Sequence, residues 1–369
     1  MKKRVLVGLS GGVDSAVAAA RLIDAGYDVE AFFMWLEADA PETAAALEDS
    51  RQVAAVLGIA PEKHHVWDLS AEFERGVIAP FVGAYGKGLT PNPCVRCNRV
   101  FKFGSVVERA LREGFDFVAT GHYARIERDS PRGFRLRRGA SFEKDQSYVL
   151  AGARAEMLAH ALFPLWDVTS KDDTRAEATR RGLPVAAKRD SFDICFIHDG
   201  DTRGFLRGRL GEEPGPILDE SGAVVGEHLG AFLYTVGQRR GLHLPRPHAD
   251  GEPRYVTGID VESNTVRVGP LADLSVDTIQ CGKANWLVAP EFGRSLLTDS
   301  TRDSRELTVQ FRAHGRPLPA SFEVDSEDCL TVRFDPEVSS EIRGVAAGQS
   351  LVVYRGDWVI AQAEIRAAS

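Results

Sequence analysis

The chain has 369 residues, 44% of them apolar and 27% charged, which suits a soluble globular protein with a full core in two or three units. A formal net charge of -8 argues against broad non-specific nucleic-acid binding, while leaving room for an RNA held on local basic patches. No apolar run has the length of a membrane span. Five unevenly spread cysteines exclude a disulfide framework and point to the reducing cytoplasm.

Met1, Lys2, Lys3 and Arg4 mimic the charged start of a secretory signal, but Asp14 interrupts the apolar stretch behind them, so the segment reads as mature protein. Residues 4–9 form a short apolar run suited to a buried strand. A helix is expected over 15–25, where Ala16, Ala19, Ala20 and Ile23 recur at helical spacing and Gly26 supplies the stop. Strands come next at 29–34 and 64–68, helices at 43–57, 73–85 and 98–112, and a further buried strand at 115–120. Alternation of this kind predicts an α/β fold, a parallel doubly wound sheet with ligands beyond the carboxyl ends of its strands.

Beyond about residue 205 glycine and proline become dense (Gly208, Gly211, Pro214, Gly215, Pro216). Residues 255–259 and 265–268 look like a hairpin. Short strands at 307–312, 330–334, 350–354 and 359–365 suggest a small antiparallel β-barrel. The expected units are 1–205, a small central domain at 206–272, and the barrel at 273–369.

Gly8, Leu9, Ser10, Gly11, Gly12, Val13, Asp14 and Ser15 join the first strand to the first helix. Paired glycines let backbone N–H groups and a helix N-terminus approach an anion. Asp14 beside phosphates makes sense with a magnesium ion between them. The segment lacks the Gly-Lys-Ser/Thr of the Walker loop. It resembles the Ser-Gly-Gly-x-Asp-Ser loop of the ATP pyrophosphatases, which release pyrophosphate while adenylating an oxygen.

Cys94 and Cys97 precede Asn98, a candidate N-cap for the helix expected over 98–112. With Arg96 and Arg99 close by, their thiolates should be favoured. Cys195 lies about a hundred residues on, among apolar neighbours, and reads equally as a buried structural thiol. A zinc site would need Cys94 and Cys97 to meet Cys195 and a histidine such as His122 or His198. Cys281 and Cys329 read as core residues.

At this point the chain resembles the bacterial tRNA-specific 2-thiouridylases over nearly its whole length. The matching segments are 8–15, 32–34, 90–93 with Cys97 and Asn98, 120–123, 144–148, 193–197 and 235–241. The resemblance implies a pyrophosphatase domain, a small central domain and a C-terminal barrel. It also implies that residues 8–15, Met34 and Gly121 contact ATP, and that Asn92, Pro93 and Cys94 line the target base. Lys144, Asp145, Gln146, Gln310 and Phe311 would touch tRNA. Arg132, Arg135, Arg137 and Arg138 form the densest basic stretch, either a phosphate-contacting hairpin or a plain solvated surface.

In the implied chemistry, the C2 oxygen of the wobble uridine in lysine, glutamate or glutamine tRNA attacks the α-phosphate of ATP with magnesium, and sulfur then displaces AMP. Cys195 carries the sulfur as a persulfide, delivered by a donor such as a cysteine desulfurase or a sulfur-relay protein. Cys97 either frees it as hydrosulfide or closes a disulfide with Cys195 afterwards. Well-known members carry aspartate where this chain has Cys94. Three thiols without that carboxylate resemble enzymes that hold a 4Fe-4S cluster on Cys94-, Cys97- and Cys195-like ligands, and both schemes stay open. Another ATP pyrophosphatase adenylating a small molecule, or a non-catalytic RNA-binding protein, is the competing reading.

Overall fold

A computed structural model describes residues 2–37, 40–130, 133–188, 194–244, 251–299 and 306–369. The first seven strands in chain order are β1 (Arg4–Gly8), β2 (Asp28–Trp35), β3 (His64–Asp68), β4 (Phe117–Ala119), β5 (Ala124–Ser130), β6 (Gly133–Arg138) and β7 (Ala161–Leu162). Five of them form a parallel sheet in the order β3-β2-β1-β4-β7. Successive residues point to opposite faces of a strand, and here both faces are buried. Val5, Val7, Ala31 and Ala119 enter one core, while Leu6, Phe32 and Val118 enter another. The chain adds β2 and β3 on one side of β1 and then returns to place β4 on the other. The resulting crevice between the carboxyl ends of β1 and β4 is where such sheets bind ligands.

A four-stranded sheet covers Gly215–Leu218, Val224–His228, Tyr255–Asp260 and Thr265–Gly269, the last two as the expected antiparallel hairpin. Its Ile217, Val256 and Val266 share a core with Leu6 and Phe32 of the first sheet. The C-terminal strands form an antiparallel barrel around Ile279, Val309, Leu330, Val353 and Ile360. The α/β fold, central unit and barrel expected from the sequence are therefore present. Among the described residues no helix is long and apolar enough to cross a membrane.

One pairing has no counterpart in the sequence pattern. The hairpin β5–β6 leaves the parallel sheet and joins the barrel, where Arg137 pairs with Trp358 of the final strand Trp358–Ala368. Its arginines are mostly spent inside the protein. Arg137 binds Glu127 at 2.7 Å and also Asp357, and Arg135 lies over the Trp358 ring at 4.8 Å. Arg138 lies over the Tyr354 ring at 3.6 Å. Arg135, Arg137 and Arg138 are thus not a plain solvated surface, since each is engaged with a ring or a carboxylate of the protein; Arg132 lies outside the described residues.

Candidate active site

The loop after β1 runs into the helix Val13–Asp24 with Gly12 as its N-cap. Gly11 has φ +70, and a Cβ there would sit 2.4 Å from the Ala46 carbonyl, so only glycine fits. The hydroxyls of Ser10 and Ser15 are 3.2 Å apart, and the Ser15 hydroxyl donates to the Gly12 carbonyl at 3.0 Å. No side chain caps the helix, which leaves its first N–H groups available to an anion.

Gly121 closes the other side of the crevice. A Cβ on it would lie 2.8 Å from the Asp14 carbonyl carbon and the Ser15 nitrogen, so the loop after β4 rests directly on the loop after β1. Tyr123 donates to the Asp14 carboxylate at 2.6 Å, and the Lys171 ammonium reaches both its oxygens at 2.8 and 2.7 Å. Lys188 donates to the Gly11 carbonyl at 3.0 Å. These two lysines escape a reading of the sequence, since they arrive from 157 and 177 residues away without a motif. Met34 is half-buried against the core at the end of β2.

The second half of the site begins at residue 90. Thr90 donates its N–H to the Ala347 carbonyl at 2.8 Å and its carbonyl accepts from the Gln349 side chain at 2.8 Å. Its hydroxyl donates to that of Thr235 at 3.2 Å. The segment is thus pinned by the central unit and by the barrel. Asn92 then caps the helix Pro93–Cys97 by accepting from the N–H groups of Cys94 and Val95, each at 3.1 Å. The cap is therefore Asn92 and not Asn98, which is buried and donates to the Val149 carbonyl at 3.0 Å.

After Cys97 the helix loosens into a π-helical stretch, Asn98–Ser105, kinked at Phe103 and Gly104. Such stretches are frequent at functional sites. Cys97 is buried, Cys94 half-buried and Cys195 exposed. The expectation of a favoured thiolate fails for Cys97. Burial pushes its pKa up, the nearby Cys94 thiol adds to this, and only Lys102 opposes it. Arg96 turns away to the Gly76 carbonyl at 2.7 Å. Cys195 keeps a solvent-facing surface, but the protein atoms crowded around its sulfur desolvate it and push the thiol up to about 12, with Cys97, Cys94 and Glu37 adding and Lys102 again opposing.

The three thiols thus share one electrostatic neighbourhood. Among the described residues, however, no three His, Cys, Asp or Glu side chains meet as a metal-holding group. That arrangement does not fit a cluster held on Cys94, Cys97 and Cys195, nor the zinc site with His122 or His198. His122 sits against Phe103 and Phe163, and desolvation, with help from Lys102, holds its pKa well below the usual value. His198 pairs with Glu37 at 3.0 Å, which ties the Cys195 loop to the end of β2. Phe196 anchors the same loop among Phe73, Phe81 and Phe205. Beside it opens a cleft of about 470 Å³ lined by Phe196, His198, Phe205 and Arg209 among others. Asp193 lies outside the described residues. Cys281 is buried and Cys329 half-buried in the barrel.

The residues expected to touch tRNA divide. Asp145 is buried, accepting from Gly139 N–H at 3.0 Å, from Ser147 N–H and hydroxyl at 3.1 and 2.7 Å, and from Arg138 at 2.9 Å. Gln310 is buried too and accepts from Arg138 at 2.9 Å. Gln146 exchanges bonds with the backbone of Tyr123. Lys144 and Phe311 are half-buried.

Residues 3–199 match the family described as "tRNA methyl transferase HUP domain", 203–270 its PRC-barrel domain, and 276–365 an aminomethyltransferase β-barrel domain. The chain is 49% identical to the tRNA-specific 2-thiouridylase MnmA of Beutenbergia cavernae, covering 99% of this chain and 95% of that one. The chain belongs to the tRNA-specific 2-thiouridylase family. Identity to the same-named protein of Salinispora tropica is 47%, covering 99% of both chains. With that of Kocuria rhizophila it is 46%, over 99% of this chain and 97% of the relative. For a 2-thiouridylase the pinned loop at 90–97 acquires meaning, because its two thiols open the helical run whose Phe103 packs on His122, the neighbour of Gly121.

Proposed function

We propose that the chain adenylates the C2 oxygen of the wobble uridine in tRNA and replaces that oxygen with sulfur, consuming MgATP and releasing AMP and pyrophosphate. The observation that carries this reading is the junction of two half-sites. The loop at 8–15 touches Gly121, the next residue His122 packs on Phe103, and Phe103 belongs to the helical run that begins with Cys94 and Cys97.

MgATP enters as substrate, with its phosphates over the uncapped helix N-terminus and the amides of residues 8–15. Met34 and Gly121 border the nucleotide. Asp14 is held by Lys171 and Tyr123, so a fixed charge pair faces the phosphates. A uridine splayed from the anticodon loop enters between Asn92, Pro93 and Cys94. Its C2 oxygen attacks the α-phosphate and pyrophosphate leaves.

Exposed Cys195 suits a sulfur carrier, because a donor's loaded cysteine reaches it through the neighbouring cleft. The terminal sulfur of its persulfide attacks C2 and AMP departs. Buried Cys97, as thiolate, then attacks the Cys195 sulfur, leaving 2-thiouridine and a Cys97–Cys195 disulfide for a thiol reductant to reopen. Lysine, glutamate and glutamine tRNAs in the cytoplasm are the expected substrates.

The test uses metal-free enzyme without oxygen, unmodified glutamate tRNA, MgATP and a persulfide donor, with nucleoside mass spectrometry as readout. We expect 2-thiouridine, and none from Cys195→Ser. ATP cleavage to AMP on a small acceptor, with no product on tRNA, would overturn the reading in favour of another ATP pyrophosphatase.

A further inference from the structure

Two of the large apolar side chains left exposed are aromatic: Phe142 at 51% and Trp166 at 41%. Each lies against an arginine, with the Arg125 guanidinium 4.6 Å from the Trp166 ring centre and that of Arg138 5.4 Å from Phe142. Among the described residues, the other large exposed apolar side chains are all aliphatic.

The segments that carry the two stacks are joined through the backbone. The Ala140 N–H donates to the Trp166 carbonyl at 2.8 Å, which ties the segment carrying Phe142 to the segment carrying Trp166. Arg125 and Arg138 occupy neighbouring rungs of the β5–β6 ladder, opposite Arg137 and Ala124, so they leave from opposite faces of the hairpin and reach the two rings from either side. The same segment continues through Lys144, which has no ion-pair partner among the described residues, to Gln146 and so to Tyr123 and Asp14. Of the nearby carboxylates, Glu127 is shared by Arg125, Arg135 and Arg137, Asp167 is taken up by Arg21 and Asp145 by Arg138, leaving Glu143 as the opposing charge.

A ring with a guanidinium on one side and water on the other offers a π-face to a further planar group. Sequence-tolerant binding of unpaired nucleotides uses this combination of aromatic and arginine stacking beside positive charge. We propose that Phe142 and Trp166 form a stacking platform for unpaired tRNA nucleotides outside the uridine pocket. This inference rests on the reading of the chain as a tRNA-modifying enzyme.

The test measures binding of an unmodified glutamate tRNA transcript to the full chain by filter retention, for wild type, F142A, W166A, the double variant and W166F. Loss of one base stack should weaken binding roughly fivefold to a hundredfold. The double variant should be weaker still, W166F should stay near wild type, and KM for ATP should not move. The salt dependence should keep its slope, since no phosphate contact is removed. A double variant that binds tRNA as tightly as wild type would overturn the platform alone. Wild-type protein that fails to bind tRNA would overturn the functional reading itself. F142A changes a half-exposed residue whose loss leaves the core intact, so the test survives a misfolded W166A.

Discussion

Lys171 reaches both carboxylate oxygens of Asp14, at 2.8 and 2.7 Å, from a helix that begins 157 residues later in the chain. The carboxylate beside the phosphate loop is therefore fixed in direction before any nucleotide arrives. Preorganised charge of this kind acts without reorganisation when pyrophosphate leaves. Lys171→Met should lower the rate of tRNA-dependent pyrophosphate release about a hundredfold while leaving the fold intact. The check is a pyrophosphate assay beside a thermal melt, and an unchanged rate would remove Lys171 from the chemistry.

Lys102 is the cation that opposes burial at both Cys97 and Cys195. Removing it should push both thiols further up, and a thiol whose pKa rises by about one holds roughly a tenth of the thiolate at fixed pH. Iodoacetamide labelling of the two cysteines, followed by peptide mass spectrometry across pH, should move to higher pH in K102M and stay near wild type in K102R. Superimposable curves for wild type and K102M would mean that the ammonium does not act on the thiols.

Gly344 has φ +62, and a Cβ on it would lie 2.8 Å from the Gly237 Cα, at the meeting of the central unit with the barrel. Gly344→Ala combines backbone strain with an overlap against backbone that cannot yield cheaply. We expect a loss of about 2 kcal/mol in urea unfolding. Gly222→Ala, with φ +82 but open space around it, should cost less.

Glu177 joins the helix Val13–Asp24 to the helix Lys171–Arg180 by accepting from Arg21 at 2.7 Å and from Arg181 at 3.0 Å. Burial works to raise its pKa, but the two guanidinium groups hold the carboxyl below its usual value. Its folded pKa lies below the unfolded one, so the stabilisation is present above the unfolded pKa and is lost as pH falls through the folded one. Glu177→Gln should cost about 2 kcal/mol near neutral pH, and the gap to wild type should close in acid. A gap independent of pH in urea titrations would contradict this.

The glycine loop at 8–15 is legible in the sequence because glycines between a strand and a helix leave few alternatives. The partners of that loop are not. Lys171 and Lys188 reach it through helix packing that no local spacing encodes. The state of Cys97 is misjudged from the sequence for a related reason: Arg96 and Arg99 are near along the chain, but Arg96 is spent on the Gly76 carbonyl and burial then dominates. The capping role of Asn92, whose oxygen accepts from the N–H groups of Cys94 and Val95, is not legible in the sequence. Local spacing points to Asn98 as the cap instead, because the loosened π-helical stretch hides where the helix begins. The strands of the barrel show in their alternation, whereas the transfer of β5–β6 to the barrel depends on a partner more than two hundred residues away.

That transfer has a consequence for how the protein is made. A ribosome delivers β5 and β6 long before Trp358, and Thr90 long before Ala347 and Gln349, which hold it. Until residues 347–358 emerge, the hairpin has an open edge and the two-cysteine loop lacks its clasp. A message cut short before Ala347 would therefore yield a chain in which the helix of Cys94 and Cys97 lacks that clasp. Residues made much later thus finish the setting of two thiols made early.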